Sequence, residues 1–268
     1  MSIWQAIILG IVQGLTEFLP VSSSGHLVLM QNIFGIEGEM LFFDTMLHVG
    51  TLVAVVIVFW KDIVNIVRRP VQKLTGLLII ATIPAVLATL LLGDFFDDAF
   101  SGRYLGFGFI LTGILLTVAE VIAARRGKRR QKRDISVGNA IGIGCMQAVA
   151  ILPGVSRSGS TLVGALFAGI DRNLAARFSF LMSIPVILGS VVLQGAKVVM
   201  GGAGEVHILP TLVGMVFAAA AGLFAVRVML YIIRKKKLYG FAIYVAVLGA
   251  LVLLDQFVFH LVFANPFL

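Results

Sequence analysis

Leu74 to Gly93 runs for 20 residues without a charge, Phe178 to Ala196 for 19, and Val206 to Val226 for 21. A helix needs about 20 mostly apolar residues to cross a hydrocarbon core about 30 Å thick. These runs therefore assign the chain to the bilayer before any other property is weighed. Only 13% of the 268 residues are charged, about half the ~25% typical of soluble domains. Because a helix satisfies its own backbone in hydrocarbon, the expected fold class is an all-α integral membrane protein.

The net charge of +8 suggests nucleic acid, but its distribution argues against that partner. Seven of the nine residues in RRGKRRQKR (Arg125 to Arg133) are basic, and RKKK (Arg234 to Lys237) is the next cluster. Both lie between apolar segments, where cytoplasmic loops collect lysine and arginine. No nucleic-acid partner is expected; membrane lipid is, and a homodimer is left open. Cys145 is the single cysteine, so neither a disulfide framework nor a zinc-type cysteine cluster is available. No basic n-region precedes the first apolar stretch, so the N-terminus is read as part of the mature protein.

With Lys61 to Lys73, Arg125 to Arg133 and Arg234 to Lys237 in the cytoplasm, GDFFDDAFSG (Gly93 to Gly102) and GGAGEVH (Gly201 to His207) face outward. The predicted spans are 41–60, 75–93, 104–124, 178–200, 208–233 and 240–262. Parity then requires residues 136–170 to enter and leave on the cytoplasmic side. Residues 1–36 must either do the same from outside or cross an even number of times. Neither stretch has the length of two full crossings, so each is expected to be a re-entrant pair of short helices meeting at a break.

The two breaks resemble each other. FLPVSSSGH (Phe18 to His26) aligns with LPGVSRSGS (Leu152 to Ser160), pairing Pro20 with Pro153, Ser22 with Ser156, Ser23 with Arg157, Ser24 with Ser158 and Gly25 with Gly159. The second copy carries one extra residue, Gly154, and Gln13 and Gln147 precede the two prolines at nearly equal distance. The chain is thus a single polytopic domain of two inverted-topology repeats, approximately 1–124 and 136–262. In such repeats the binding site lies at broken helices near the midplane.

If the two loops meet, their chemistry suits an oxyanion. Serine and glycine leave backbone N–H groups free, and the helix N-termini that follow favour anions. Arg157 adds a planar fork of donors matched to phosphate. A charge at this depth costs at least about 2.5–3.5 kcal/mol on insertion scales, so Arg157 needs an anionic partner, either Glu17 or a ligand phosphate. Glu17 is a candidate base or cation ligand. His26 is a candidate nucleophile, acid or base, and Ser23 is an alternative nucleophile. Small residues also serve plain helix packing, and inverted repeats with broken helices are equally a transporter device. A transporter of a lipid phosphate or an anion is therefore the competing reading.

QGLTEFLPVSSSGH (Gln13 to His26) and LPGVSRSGST (Leu152 to Thr161) are similar to the two motifs of the bacterial undecaprenyl-diphosphate phosphatase, or bacitracin-resistance, family. FDTMLHVGTL (Phe43 to Leu52) and ARFSFLMSIP (Ala176 to Pro185) also resemble family segments. The resemblance covers essentially the whole chain. It implies six spans plus two re-entrant hairpins, and hydrolysis of undecaprenyl diphosphate to undecaprenyl phosphate and inorganic phosphate. That reaction recycles the lipid carrier for cell-wall synthesis at the outer face of the cytoplasmic membrane, with a divalent cation, Mg²⁺ or Ca²⁺. Residue by residue, it implies catalytic roles for Glu17, His26, Ser23 and Arg157, with Glu17 also the metal ligand. Gln13 stands at the family's first acidic position and takes a supporting role. Ser22, Ser24, Gly25, Ser156, Ser158, Gly159, Ser160 and Thr161 become the candidate substrate cradle.

Overall fold

The computed structural model of the chain describes residues 1–36, 40–99, 102–126, 131–199 and 207–263. The expectations for residues 127–130 and 201–206, and for parts of 93–102, fall outside the described residues. Among the described residues, six helical segments are long and apolar enough to cross a membrane: α3 (Leu41–Val58), α5 (Lys73–Leu91), α7 (Leu105–Arg126), α10 (Arg172–Val199), α11 (Ile208–Lys235) and α12 (Tyr239–Leu254), the last continued to Phe259 by a π-helical turn. They correspond to the six predicted spans, with two corrections at the ends. Span 41–60 stops at Phe59, where α4 (Trp60–Arg68) begins as a separate helix whose residues are all at least partly exposed. Span 178–200 starts six residues earlier, because Arg172 is held by a buried partner rather than left in a loop.

Four shorter helices form two pairs, α1 (Ile3–Phe18) with α2 (Ser23–Ile33) and α8 (Val137–Val149) with α9 (Arg157–Phe167). The last short helix, α6, spans Gly93–Ala99. At about 1.5 Å per residue, the 16 residues of α1 reach ~24 Å and the 11 of α2 ~16 Å. None of the four paired helices can cross a ~30 Å core alone.

Ion pairs gather the basic helix ends at one end of the bundle. The Arg172 guanidinium donates to both oxygens of buried Glu120, at 2.8 and 2.6 Å, and Glu120 also accepts from the Leu238 N–H at 3.0 Å. Arg177 pairs with Asp62, and Lys73 with Asp134. Burying Glu120 is tolerated because its charge is neutralised and its oxygens are hydrogen-bonded.

Small residues fix the direction of each short pair. A Cβ on Gly10 would press on the Gly214 carbonyl, and one on Gly14 would come within 2.6 Å of the Ala218 carbonyl. α1 therefore runs beside α11 in the same sense and enters from the end opposite the basic one. Gly144 of α8 lies likewise against Ala81 and Pro84 of α5, and α8 follows Asp134, which Lys73 holds at the start of α5. α8 thus enters from the basic end. α2 returns beside the start of α3, where Gln31 donates to Asp44 at 2.7 Å. α9 returns beside Lys132, whose N–H donates to the Gly169 carbonyl at 2.8 Å. Without a hydrophobic drive between helices in lipid, such close backbone approach supplies the packing attraction.

Gly10→Leu should therefore cost at least about 1–3 kcal/mol through overpacking. Gly76→Ala meets no heavy atom within 4 Å and should be neutral or stabilising by up to about 1 kcal/mol. Unfolding midpoints in mixed micelles compare the two.

Candidate active site

Each break contains a proline and is closed by a serine. Leu19 sits at φ −74°, ψ 144°, the extended region to which a following proline confines it, and α1 ends there. α2 then starts with Ser22 as cap, its hydroxyl accepting from the Gly25 N–H at 3.3 Å. In the second copy Ser156 caps α9 by accepting from the Gly159 N–H at 3.1 Å. The aligned Ser and Gly residues thus make the same cap twice.

The copies differ at the extra residue. Gly154 takes φ +83°, whereas in the first copy Ser22 itself sits at φ +70°. For a non-glycine residue that conformation costs on the order of 1–3 kcal/mol. Thr112 of α7 brackets the second loop, donating to the Gly154 carbonyl and accepting from the Ser156 N–H, both at 3.0 Å. No sequence pattern announced Thr112.

The two breaks meet. The Ser158 hydroxyl donates to the Leu19 carbonyl at 3.0 Å, a Cβ on Gly25 would lie 2.9 Å from Gly154, and one on Gly159 would lie 3.3 Å from Pro20. This brings Arg157, the first residue of α9, to Glu17 at the end of α1. Arg157 Nη2 donates to Glu17 Oε1. The other oxygen, Oε2, accepts from Ser23 Oγ at 2.6 Å and from Gln13 Nε2 at 2.9 Å. Arg157 Nη1, Gln13 Oε1 and Ser160 Oγ are buried without a hydrogen-bond partner, a set that can still receive a polar ligand.

The remaining candidates divide. Ser24 Oγ lies 3.4 Å from Ser22 Oγ, and Ser158 Oγ 3.3 Å from Ser156 Oγ, so these hydroxyls line the two loops. Thr161 bonds the Arg157 carbonyl at 2.8 Å and the Ser179 hydroxyl. Its oxygen holds α9 to α10. His26 also faces away from Glu17: its Nδ1 meets the Ser22 carbonyl and its Nε2 the Tyr244 hydroxyl, each at 2.7 Å.

His48, which lies within the FDTMLHVGTL segment on α3, also joins the site. Its Nε2 lies 3.5 Å from Glu17 Oε2, and its Nδ1 is 2.7 Å from the Asp44 carbonyl. A carbonyl can only accept, so Nδ1 carries a proton, and a neutral ring turns a lone pair toward the Glu17 carboxylate. Two acceptors at that spacing need a shared cation, either a proton on His48 or a metal ion. Among the described residues no group of three or more His, Cys, Asp or Glu is arranged to hold a metal. The donor set fits a Mg²⁺- or Ca²⁺-type ion only where substrate oxygens and water complete the coordination, with Glu17 as the hard oxygen ligand.

The description "Bacitracin resistance protein BacA" belongs to a family model that matches residues 6–251. The chain belongs to this BacA family. Relatives agree over nearly the whole length. An undecaprenyl-diphosphatase of Carboxydothermus hydrogenoformans is 46% identical over 259 residues, covering 96% of this chain and 98% of the relative. Undecaprenyl-diphosphatase 4 of Bacillus thuringiensis subsp. konkukian is 45% identical, covering 94% and 97%. The undecaprenyl-diphosphatase of Halothermothrix orenii is 40% identical, covering 95% and 98%. The match to the BacA model takes in both breaks, every residue of the Glu17 cluster, and Thr112, His48 and Tyr244.

Glu17→Ala should do more than remove a functional group, because it leaves the Arg157 guanidinium at depth without its carboxylate. Breaking a buried pair from one side costs about 3–5 kcal/mol. Adding Arg157→Met should recover much of that loss, as unfolding midpoints in mixed micelles would show.

Proposed function

We propose that the chain hydrolyses undecaprenyl diphosphate to undecaprenyl phosphate and inorganic phosphate, recycling a lipid carrier for peptidoglycan synthesis and so conferring bacitracin resistance. The family and the names of its relatives support the reaction class. The observation that carries the mechanism is the 2.6 Å bond from Ser23 Oγ to Glu17 beside Arg157. A hydroxyl held by a carboxylate at that distance is the arrangement of a nucleophile and its base. His26, with both ring nitrogens engaged elsewhere, is not the attacking group in this reading.

The incoming diphosphate draws Arg157 from Glu17 to its own oxygens, aided by the free Nη1 and the donors of the two helix N-termini. Glu17, relieved of that pairing, becomes the stronger base. Ser23 Oγ then attacks the terminal phosphorus as its proton passes to Glu17, and the bond to the bridging oxygen breaks to release undecaprenyl phosphate. Glu17 passes that proton to the departing phosphate oxygen and is again a carboxylate. It then takes a proton from the water that attacks the resulting phosphoserine, and returns it to Ser23 Oγ as inorganic phosphate leaves. Gln13 holds the Glu17 carboxylate in place. A divalent cation held by Glu17, with His48 beside it, would supply charge neutralisation on the phosphates.

The helix geometry supports placing this site inside a bilayer. The two short pairs enter from opposite ends of the bundle, which suits re-entrant hairpins of an inverted repeat. Placing the basic end in the cytoplasm puts α1–α2 on the outer side of the cytoplasmic membrane, where the lipid diphosphate is taken up. The Ser23–Glu17 hydrogen bond favours chemistry over transport, since passage alone needs no nucleophile.

Ser23→Ala should abolish phosphate release from polyprenyl diphosphate in detergent, and Glu17→Gln should lower kcat by about 100- to 10,000-fold. A chelator should stop the wild-type reaction, and added Mg²⁺ or Ca²⁺ should restore it. Full activity of Ser23→Ala would overturn the assignment of the nucleophile.

A further inference from the structure

Tyr244 lies on α12, outside every motif, and is partly exposed on the outside of the bundle. It nevertheless contacts the ring nitrogen of His26 that the Ser22 carbonyl leaves free. Its hydroxyl is 2.7 Å from His26 Nε2, and the two rings are stacked, 15° apart in plane with centroids at 5.7 Å. Phe109 closes against the imidazole edge-on at 5.4 Å, leaving the ring little freedom to turn.

The other nitrogen decides the tautomer. His26 Nδ1 faces the Ser22 carbonyl at 2.7 Å, and that carbonyl also accepts the His26 backbone N–H at 3.2 Å. A carbonyl oxygen cannot donate, so Nδ1 bears the proton. Nε2 of the neutral ring is then the acceptor, and Tyr244 is the donor that suits it. The partner at one imidazole nitrogen selects which nitrogen is protonated. Both hydrogen bonds fall on Ser22, whose φ of +70° is unusual for a side-chain-bearing residue. The next hydroxyl along the chain is Ser23, held by Glu17 at 2.6 Å.

We infer that Tyr244 is a positioning residue for the phosphoryl transfer. By donating to Nε2 of the Nδ1–H tautomer that the Ser22 carbonyl selects, it stabilises that form and fixes the ring, so that His26 clamps the Ser22 carbonyl and sets Ser23 against Glu17. This rests on the reading of Ser23 as nucleophile and extends it, assigning Tyr244 a part that acts through His26. Small displacements of a reacting group cost large factors in rate, so a residue that fixes one peptide plane beside the nucleophile is felt in kcat. Substrate affinity, carried by Arg157 and the loop donors, is left nearly unchanged.

Tyr244→Phe removes the hydroxyl and keeps the stacking. It should lower kcat about tenfold, the order of one lost hydrogen bond that holds a reactive geometry, with KM changed by less than about twofold. In ¹⁵N-histidine-labelled protein, with His26→Gln assigning the signal, the wild type should show His26 protonated at Nδ1 and bare at Nε2. Tyr244→Phe should shift that population toward the Nε2–H form. In a His26→Gln background, adding Tyr244→Phe should cost little more, because its route to the site is already cut. An unchanged kcat, an unaltered His26 tautomer, or full additivity of the two substitutions would each overturn the inference. A wild type that releases no phosphate would instead remove the phosphatase reading, while the ¹⁵N spectra would still decide whether Tyr244 stabilises that His26 tautomer.

Discussion

The Glu17–Arg157 pair is the constraint from which the rest of the centre follows. A lone carboxylate or guanidinium at bilayer depth is too costly to keep, and each half of the chain carries one of the two. Neither half is therefore tolerable without the other. Meeting that demand requires α1 to end where α9 begins, which needs a break in each short pair and two loops thin enough to touch. Gly25 against Gly154 and Gly159 against Pro20 supply that thinness. The same meeting leaves donors unspent around the pair, which is what a binding centre for an anion requires.

Placement of the short helices is delegated to residues that carry no chemistry. Gly10, Gly14 and Gly144 let α1 and α8 lie backbone to backbone on α11 and α5. The clasp of Arg172, Glu120 and Leu238 ties the starts of α10 and α12 to the end of α7. The long helices thus act as a frame that holds two half-helices tip to tip. The polar groups at those tips are organised by local caps and by the crossing bonds from Ser158 to Leu19 and from Arg157 to Glu17.

Much of this was legible in the sequence because it rests on local rules. The six spans follow from uncharged runs of sufficient length, the breaks from Pro20 and Pro153, and the caps from the repeated serine and glycine. The repeat and the cost of a buried charge left Arg157 two candidate partners, Glu17 or a ligand phosphate, and the structure pairs it with Glu17. Long-range partners were not legible. Thr112, His48 and Tyr244 reach the centre from helices whose sequences are those of ordinary apolar spans, and nothing in their spacing announces a contact. Thr161 is a different case: its motif suggested the phosphate cradle, and in the structure its hydroxyl bonds Ser179 and the Arg157 carbonyl. A motif fixes which residue types are present, while the packing of neighbouring helices decides which of their atoms stay free.

Gly154 adds one residue to the second loop and takes the left-handed turn there, so Ser156 keeps an ordinary extended backbone while Ser22 does not. Two copies of a motif begin with the same obligations, and an inserted glycine releases one of them. The relaxed copy became an anchor, bracketed by Thr112 and presenting a fixed cation. The copy without the insertion keeps its left-handed cap at Ser22, directly before the Ser23 hydroxyl that bonds Glu17. A difference of one residue in length is thus enough to give two like loops unlike backbones.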